Sequence, residues 1–415
     1  MDVQSKNIGF VSTRIAGTDG VSLEIEKWAV VLERMGANCF YLAGELDRPE
    51  EVSMLVPEAH FEFPAVRQIN DDVWGRQFRK RETSNEIHRL KEILKSAIYQ
   101  YVEKFNIDLL IPENALTIPM NIPLGMAITE FLAETGLPAI AHHHDFYWER
   151  NRFMINACQD LLDMAFPPDL PSLRHVVINS LAARQLSYRV GISNLVIPNV
   201  YDFAHEPPPP KSDCKLREEI GLRGDDWFIL QPTRVVPRKW IERSIEIVKL
   251  LGMKRPCLVI SHASGDEGGD YFERIREYAD NAGVTLKLID QLIAPHKNHS
   301  GKKYSIEDVY QCADLVTYPS GYEGFGNAFL ESLYYKKPIV VNRYAIYISD
   351  IEPKGFKVIA FDGFVTREVI EKIKRVMSDL QYREEMVNHN YQLAKKYFSF
   401  EVLEKKLKAV LASFE

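Results

Sequence analysis

Two acidic side chains flank a glycine-rich stretch late in the chain. The run is Tyr318-Pro319-Ser320-Gly321-Tyr322-Glu323-Gly324-Phe325-Gly326-Asn327-Ala328-Phe329-Leu330-Glu331. Glycines let backbone N–H groups approach a ligand, and a helix N-terminus favours a phosphate. A helix opening near Asn327 carries Glu331 on the same face as its first turn. Carboxylates so placed accept hydrogen bonds from vicinal hydroxyls, one holding a sugar beside the phosphates and the other a ribose beyond them. Gly324, Phe325, Gly326, Asn327 and Ala328 would supply the backbone around the phosphates. The competing reading is a glycine turn entering an ordinary helix with two solvated glutamates.

A second cluster weighs against that plainer reading. Thr233-Arg234-Val235-Val236-Pro237-Arg238-Lys239 follows a strand pattern, and Arg234 and Lys239 flank the loop at its carboxyl end. Cations there could clamp a diphosphate. Breaking an anomeric C–O bond to a diphosphate puts negative charge on the leaving group, and Arg234, Lys239 and the amides of Gly324 to Ala328 are suited to stabilise it. No Asp-x-Asp occurs in the chain, so no metal is expected at the diphosphate and no cofactor beyond the co-substrate.

Other segments offer contacts to a second substrate. His142-His143-His144-Asp145 could hold a metal, but consecutive strand residues point to opposite faces, which speaks against three adjacent ligands. His144 is instead read as a hydrogen-bonding group for a sugar, or else as a core histidine. Asp145, Tyr147, Trp148 and Arg150 follow, where aromatic rings could stack on sugar faces and Arg150 could pair with an anion; equally, they could pack a helix over 151–164. Arg14 precedes Gly17-Thr18-Asp19-Gly20 and could reach an anionic acceptor near Gly20. Arg76-Gln77-Phe78-Arg79-Lys80-Arg81 reads as a solvated face or a further anion contact. Ser264-Gly265-Asp266-Glu267-Gly268-Gly269 could border a nucleotide base or be a plain loop.

The elements that must position these residues alternate along the chain. Short apolar runs at 8–12, 38–43, 108–111, 139–141, 175–178 and 194–197 read as strands, and 22–35 as a helix. This is the pattern of a parallel sheet with right-handed crossovers. Glu206-Pro207-Pro208-Pro209-Pro210-Lys211 suits a stiff linker and a hinge for domain closure. The pattern then restarts with strands at 227–231, 257–261, 285–289, 315–318, 338–342 and 357–360. Helices are expected at 241–251, 329–335, from Val369 onward and, behind a Ser399 cap, to Phe414. Two doubly wound halves bind ligands at the carboxyl ends of their strands and in the cleft between them.

Composition narrows the classes. The chain has 415 residues, 46% hydrophobic and 26% charged, which suits two or three soluble domains. A formal net charge of -7 argues against nucleic acid as a partner. Five cysteines without CxxC spacing give no zinc signature and no disulfide framework, and fit a reducing, cytoplasmic setting. The uncharged stretch from Asn114 to Thr129 contains Pro119 and Pro123 and falls short of the roughly 20 residues of a membrane span.

Together these residues resemble the retaining GT-B glycosyltransferases of family GT4 (glycosyltransferase group 1). The likeness rests on Glu323 and Glu331 with the Gly324-Phe325-Gly326 loop, Arg234 with Lys239, the Gly17 to Gly20 loop, His144-Asp145, Pro198-Asn199 with Asp202, and the terminal helix. It implies an α/β, GT-B fold of two doubly wound Rossmann-like domains with an interdomain cleft: 1–205 for the acceptor, 206–395 for the nucleotide sugar, and 396–415 crossing back to the first domain. It implies a hexosyltransferase that moves a hexose with retention from GDP-mannose or UDP-glucose to a small polar or anionic acceptor, such as a sugar phosphate or a glucosylglycerate-like compound. The departing phosphate oxygen would take the acceptor's proton. The sequence departs from the family pattern at Asp19-Gly20, Val200, Thr233 and Lys336-Lys337, and the first of these bears on the acceptor. A nucleotide-sugar epimerase of the same architecture and a non-catalytic nucleotide-sugar-binding protein stay open. A dinucleotide-binding Gly-x-Gly-x-x-Gly is missing after the first strand. Oligomeric state is left open.

Overall fold

The computed structural model describes residues 1–17, 19–209, 214–224, 226–263, 269–294 and 304–414. The 264–268 loop, with Thr18 and the 210–211 end of the proline segment, lies outside the described residues. The chain forms two compact units, Met1–Val200 with Phe400–Glu415, and Tyr201–Ser399.

The first unit holds strands β1 (Asn7–Val11), β2 (Asn38–Ala43), β3 (Ser53–Leu55), β4 (Leu109–Pro112), β5 (Ala139–His143), β6 (Leu173–Val177) and β7 (Asn194–Val196). They pair in parallel in the order β3-β2-β1-β4-β5-β6-β7. The chain runs outward from β1 through β3, then returns to β4 on the other side of β1. The switch point therefore lies between β1 and β4, where open sheets take their ligands. Helix Gly20–Arg34 buries Ile25, Trp28, Val31 and Leu32 at helical spacing. The terminal helix Phe400–Ala412 adds Phe400, Leu403, Leu407 and Leu411 to the same cluster. Each such side chain contributes about 1.5–3 kcal/mol by leaving water, which is why the last residues of the chain join the first unit.

The second unit holds β8 (Ile229–Gln231), β9 (Cys257–Ile260), β10 (Thr285–Leu288), β11 (Leu315–Tyr318), β12 (Ile339–Asn342) and β13 (Ile359–Phe361). Its order, again parallel, is β10-β9-β8-β11-β12-β13, with the switch point between β8 and β11.

Two expectations change, and the uncharged 114–129 stretch takes a definite form. The single helix over 151–164 is two, Asn151–Met154 and Gln159–Ala165. Asn156 breaks it, because its side chain accepts from Cys158 N at 3.1 Å and donates to Phe153 O at 3.1 Å, competing with the helical ladder. The uncharged 114–129 stretch leads into helix Ile122–Thr135, capped by Asn121 and buried almost all round. Among the described residues no helix is long and apolar enough to cross a membrane. Finally, Cys214 and Cys312 form a disulfide, with Cα atoms 5.9 Å apart. Their separation of 98 residues hides the pairing from any local spacing rule. Cys39, Cys158 and Cys257 are buried thiols.

Candidate active site

In the second unit the two loops named from sequence leave the adjacent strands β8 and β11. Gln231, at the end of β8, is buried and its amide donates to Thr233 Oγ1 and Lys239 O, each at 3.2 Å, which fixes the first loop. Gly321 N donates to Arg238 O at 2.9 Å and locks the second loop to the first. A Cβ at Gly321 would come within 2.4 Å of the Trp240 ring, so the close approach requires glycine. Gly326 caps helix Asn327–Tyr334 at φ 120°, under the Tyr344 and Tyr318 hydroxyls. Tyr344 Oη also donates to Phe325 O at 2.8 Å, which holds the peptide ahead of the helix.

This frame joins Glu323 to two cations. Lys239 Nζ donates to one carboxylate oxygen and Arg238 to the other at 3.0 Å. The Lys239 and Glu323 side chains are 9% and 8% exposed. Burial pushes the Glu323 carboxyl up, but Lys239 and Arg238 outweigh it and hold it at about 2. Burial lowers Lys239 and the Glu323 charge opposes that, with Arg238 and Arg234 lowering it further. Arg234 is exposed and has no ion pair among the described residues. The structure thus brings Glu323 and Lys239 together and leaves Arg234 facing solvent from the same loop.

Glu331 is engaged separately. The buried Tyr310 hydroxyl donates to it at 2.8 Å. Burial, then the Glu331 charge, raises Tyr310 well above its ordinary range, so it remains a donor. Asn327 is half-buried, and Ala328 is buried at the helix opening.

Sequence reasoning missed Arg238, Tyr310 and His262. His262 lies two residues past the end of β9, and burial, then Lys239 and Arg234, lower it to about 4. Its position after the strand beside β8 is the signal that could have found it. Arg238 was masked by its stronger-looking neighbours, and Tyr310 sits on helix Ile306–Cys312, with no spacing relation to Glu331.

In the first unit His144 Nε2 lies 2.6 Å from a carboxylate oxygen of the fully buried Glu113, and His142 Nδ1 lies 2.8 Å from the same oxygen. Sequence reasoning did not couple Glu113 to this strand. Asp145 accepts from Arg150 Nε at 2.7 Å and Asn114 Nδ2 at 3.2 Å. Arg150 therefore spends its guanidinium on Asp145, although its side chain is 49% exposed. Trp148 stacks on Phe146 at 4.5 Å and donates to Gln185, while the Tyr147 hydroxyl accepts from Gln159 at 3.2 Å. These aromatics are packed into the protein. Arg14 pairs with Asp19 at 3.2 Å. Asp19 caps the helix that begins at Gly20, accepting from Val21 N and Ser22 N. That cap places a carboxylate where the family pattern has glycine, so the amides at this helix end already meet an anion. In the basic run Arg79 is held by Asp160 at 2.5 and 2.6 Å.

The second unit thus sets cations, a glycine-opened helix and two carboxylates around the switch point between β8 and β11. Residues 213–393 match the family Glycosyl transferases group 1. The chain belongs to the group 1 glycosyl transferases and is a hexosyltransferase of GT-B architecture. It is 33% identical to a mannosylglucosylglycerate synthase of Thermotoga maritima, over 93% of this chain and 95% of that one. It is 32% identical to a protein of the same description from Petrotoga mobilis, over 85% and 86%. Its fold is similar to sucrose-phosphate synthase from Thermosynechococcus elongatus, with a TM-score of 0.69 at 13% identity, covering 99% of each chain.

Proposed function

We propose that the protein transfers a mannosyl group from GDP-mannose to glucosylglycerate with retention of anomeric configuration. The observation that carries this reading is the 33% identity to the Thermotoga synthase across 93% of the chain, whose product name orders mannose, glucose and glycerate.

The chemistry follows from the second unit. The anomeric C–O bond to the diphosphate breaks, and Arg234, Lys239 and the amides opening helix Asn327–Tyr334 take up the leaving group's charge. No metal is assigned to that diphosphate. The acceptor oxygen bonds to the anomeric carbon on the face the diphosphate leaves, and the departing phosphate oxygen takes its proton. Glu323 holds Lys239 in place and has lone pairs left for a sugar hydroxyl, since a carboxylate accepts about four hydrogen bonds. Glu331, oriented by Tyr310, binds the ribose. His144, Asp145 and Gly20 are assigned to the sugar and acceptor side, where Arg150 and Arg14 position the carboxylates they pair with.

Incubation with GDP-mannose or UDP-glucose, each with glucosylglycerate, glycerate or a sugar phosphate, tests the reading. The expected result is one α-mannosylated product, seen by NMR of the anomeric proton, from GDP-mannose and glucosylglycerate only. A β-linked product overturns retention. Isomerised sugar nucleotide without acceptor would make the protein an epimerase, and binding without turnover a sensor.

A further inference from the structure

The three consecutive histidines divide between two faces of β5, as strand pleating requires. His143 Nε2 pairs with His175 Nδ1 at 2.9 Å on one face. His142 and His144 turn to the other, toward Glu113 at the carboxyl end of β4, in register through a Glu113–His142 bridge. The triplet therefore cannot act as one cluster, but alternate histidines with a carboxylate from the neighbouring strand can.

Several polar atoms there are left unpaired. Glu113 has no exposed surface, His142 is 1% exposed and His144 11%. One Glu113 oxygen lies near both imidazoles, while its other oxygen and both His142 ring nitrogens have no hydrogen-bond partner among the described residues. Glu24, on helix Gly20–Arg34, is also fully buried, and one of its oxygens is unpartnered while the other meets Lys27. Buried carboxylate and imidazole atoms left without a partner are a costly state in the interior.

We propose that Glu113, His142 and His144 form a divalent-cation site, through the Glu113 carboxylate, His142 Nδ1 and His144 Nε2. These ligand atoms already lie within 4.8 Å of one another. Bonds of about 2.0–2.1 Å place tetrahedral ligands roughly 3.3 Å apart, so the carboxylate withdraws by about half an ångström and the two imidazole nitrogens adjust toward that spacing to admit the ion. Two imidazoles and a carboxylate suit zinc or cobalt. Three protein ligands leave one position open, on the exposed side at His144, for water or a substrate oxygen. The site sits at the carboxyl ends of β4 and β5 in the first unit, and its ligands are distinct from the cations around Glu323 in the second. His144 Nδ1 remains available for a sugar hydroxyl.

The test uses the full chain, stripped with chelator and dialysed, and titrated calorimetrically with Zn²⁺ and, by its visible absorption, Co²⁺. One equivalent should bind saturably, and Zn²⁺ should raise the melting temperature. Glu113→Gln and His144→Ala should each weaken Zn²⁺ by more than about 100-fold, since loss of an outer-shell partner alone costs about 10–100-fold. His144→Ala removes the most exposed ligand and leaves the Glu113–His142 contact in place, so it serves where Glu113→Gln fails to fold. No saturable binding, or unchanged affinity in His144→Ala, overturns the site. Because binding is read without donor or acceptor, this outcome is separate from the transfer assay.

Discussion

The Lys239 ammonium donates into the Glu323 carboxylate although 84 positions separate them in the chain and both side chains are buried. The contact ties the loop after β8 to the loop after β11 across the switch point of the second unit. It makes Glu323 the residue that sets where Lys239 points. Removing one partner of a buried pair strands the other charge, at about 3–5 kcal/mol. Lys239→Ala should therefore lower the melting temperature as well as turnover, read by calorimetry and initial rates. Glu323→Ala should reduce kcat more than it weakens donor binding. Near-wild-type kcat in both variants would remove the pair from the catalytic centre.

The same pair gives an acid limb to stability. Glu323 is held at about 2, below its ordinary 4.5, because Lys239 and Arg238 outweigh the upward push of burial. A lowered carboxyl contributes stability that is present above pH 4.5 and lost as pH falls toward 2. The shift corresponds to about 3 kcal/mol. In urea titrations between pH 6 and 2.5, wild type should lose stability across this window and Glu323→Gln should lose correspondingly less. Parallel curves would show that the carboxyl's protonation is not linked to folding.

Much of this centre was legible in sequence because its parts are local. The glycine loop, Glu323, Lys239 and the helix opening at Asn327 follow from strand ends and turn chemistry, which period and glycine placement reveal. The strand cores were legible for the same reason, whereas β3 was missed because three residues, Ser53–Leu55, carry no period. What stayed hidden depends on chain returning from afar: Glu113 beside His142, Tyr310 beside Glu331, and Cys214 beside Cys312. Arg150 and Arg14 each meet a carboxylate a few residues away in their own loop, a pairing that residue spacing alone does not single out from contact with an external anion.

Glu331 should act on the nucleotide through its bond from Tyr310. Glu331→Ala removes a charged acceptor for ribose hydroxyls, and such hydrogen bonds are worth about 1.5–3 kcal/mol. GDP affinity, by calorimetry, should fall by about 10- to 100-fold. Tyr310→Phe leaves the carboxylate but frees its orientation, and should cost less. Equal GDP affinity in wild type and Glu331→Ala would place the ribose elsewhere.

Gly326 tests the helix opening by backbone alone. At φ 120° a side chain is strained, and its Cβ would lie 2.9 Å from Tyr344 Oη and 3.1 Å from Tyr318 Oη. Gly326→Ala should cost about 1–3 kcal/mol and displace the first helical amides. Donor binding should weaken with little change in acceptor binding. A variant as stable and as tight for donor as wild type would refute the need for this conformation.

His262 reports whether a diphosphate enters the loop. Burial, then the charges of Lys239 and Arg234, lower it to about 4, so it is neutral at pH 7. Its Nδ1 lies 2.8 Å from Ser261 Oγ. A diphosphate set against Arg234 and Lys239 offsets their field and favours the imidazolium, while burial continues to oppose it. The His262 pKa must then rise on binding. A group raised in the complex strengthens binding at low pH, and that gain is lost as pH climbs through the bound value. Ring-nitrogen NMR of His262 during a GDP titration should show the upward shift, with proton uptake on binding at acidic pH. Guanosine, which lacks phosphates, should leave it unmoved. A pKa that stays at its free value, or falls, when GDP saturates the protein would mean that the diphosphate does not meet Arg234 and Lys239.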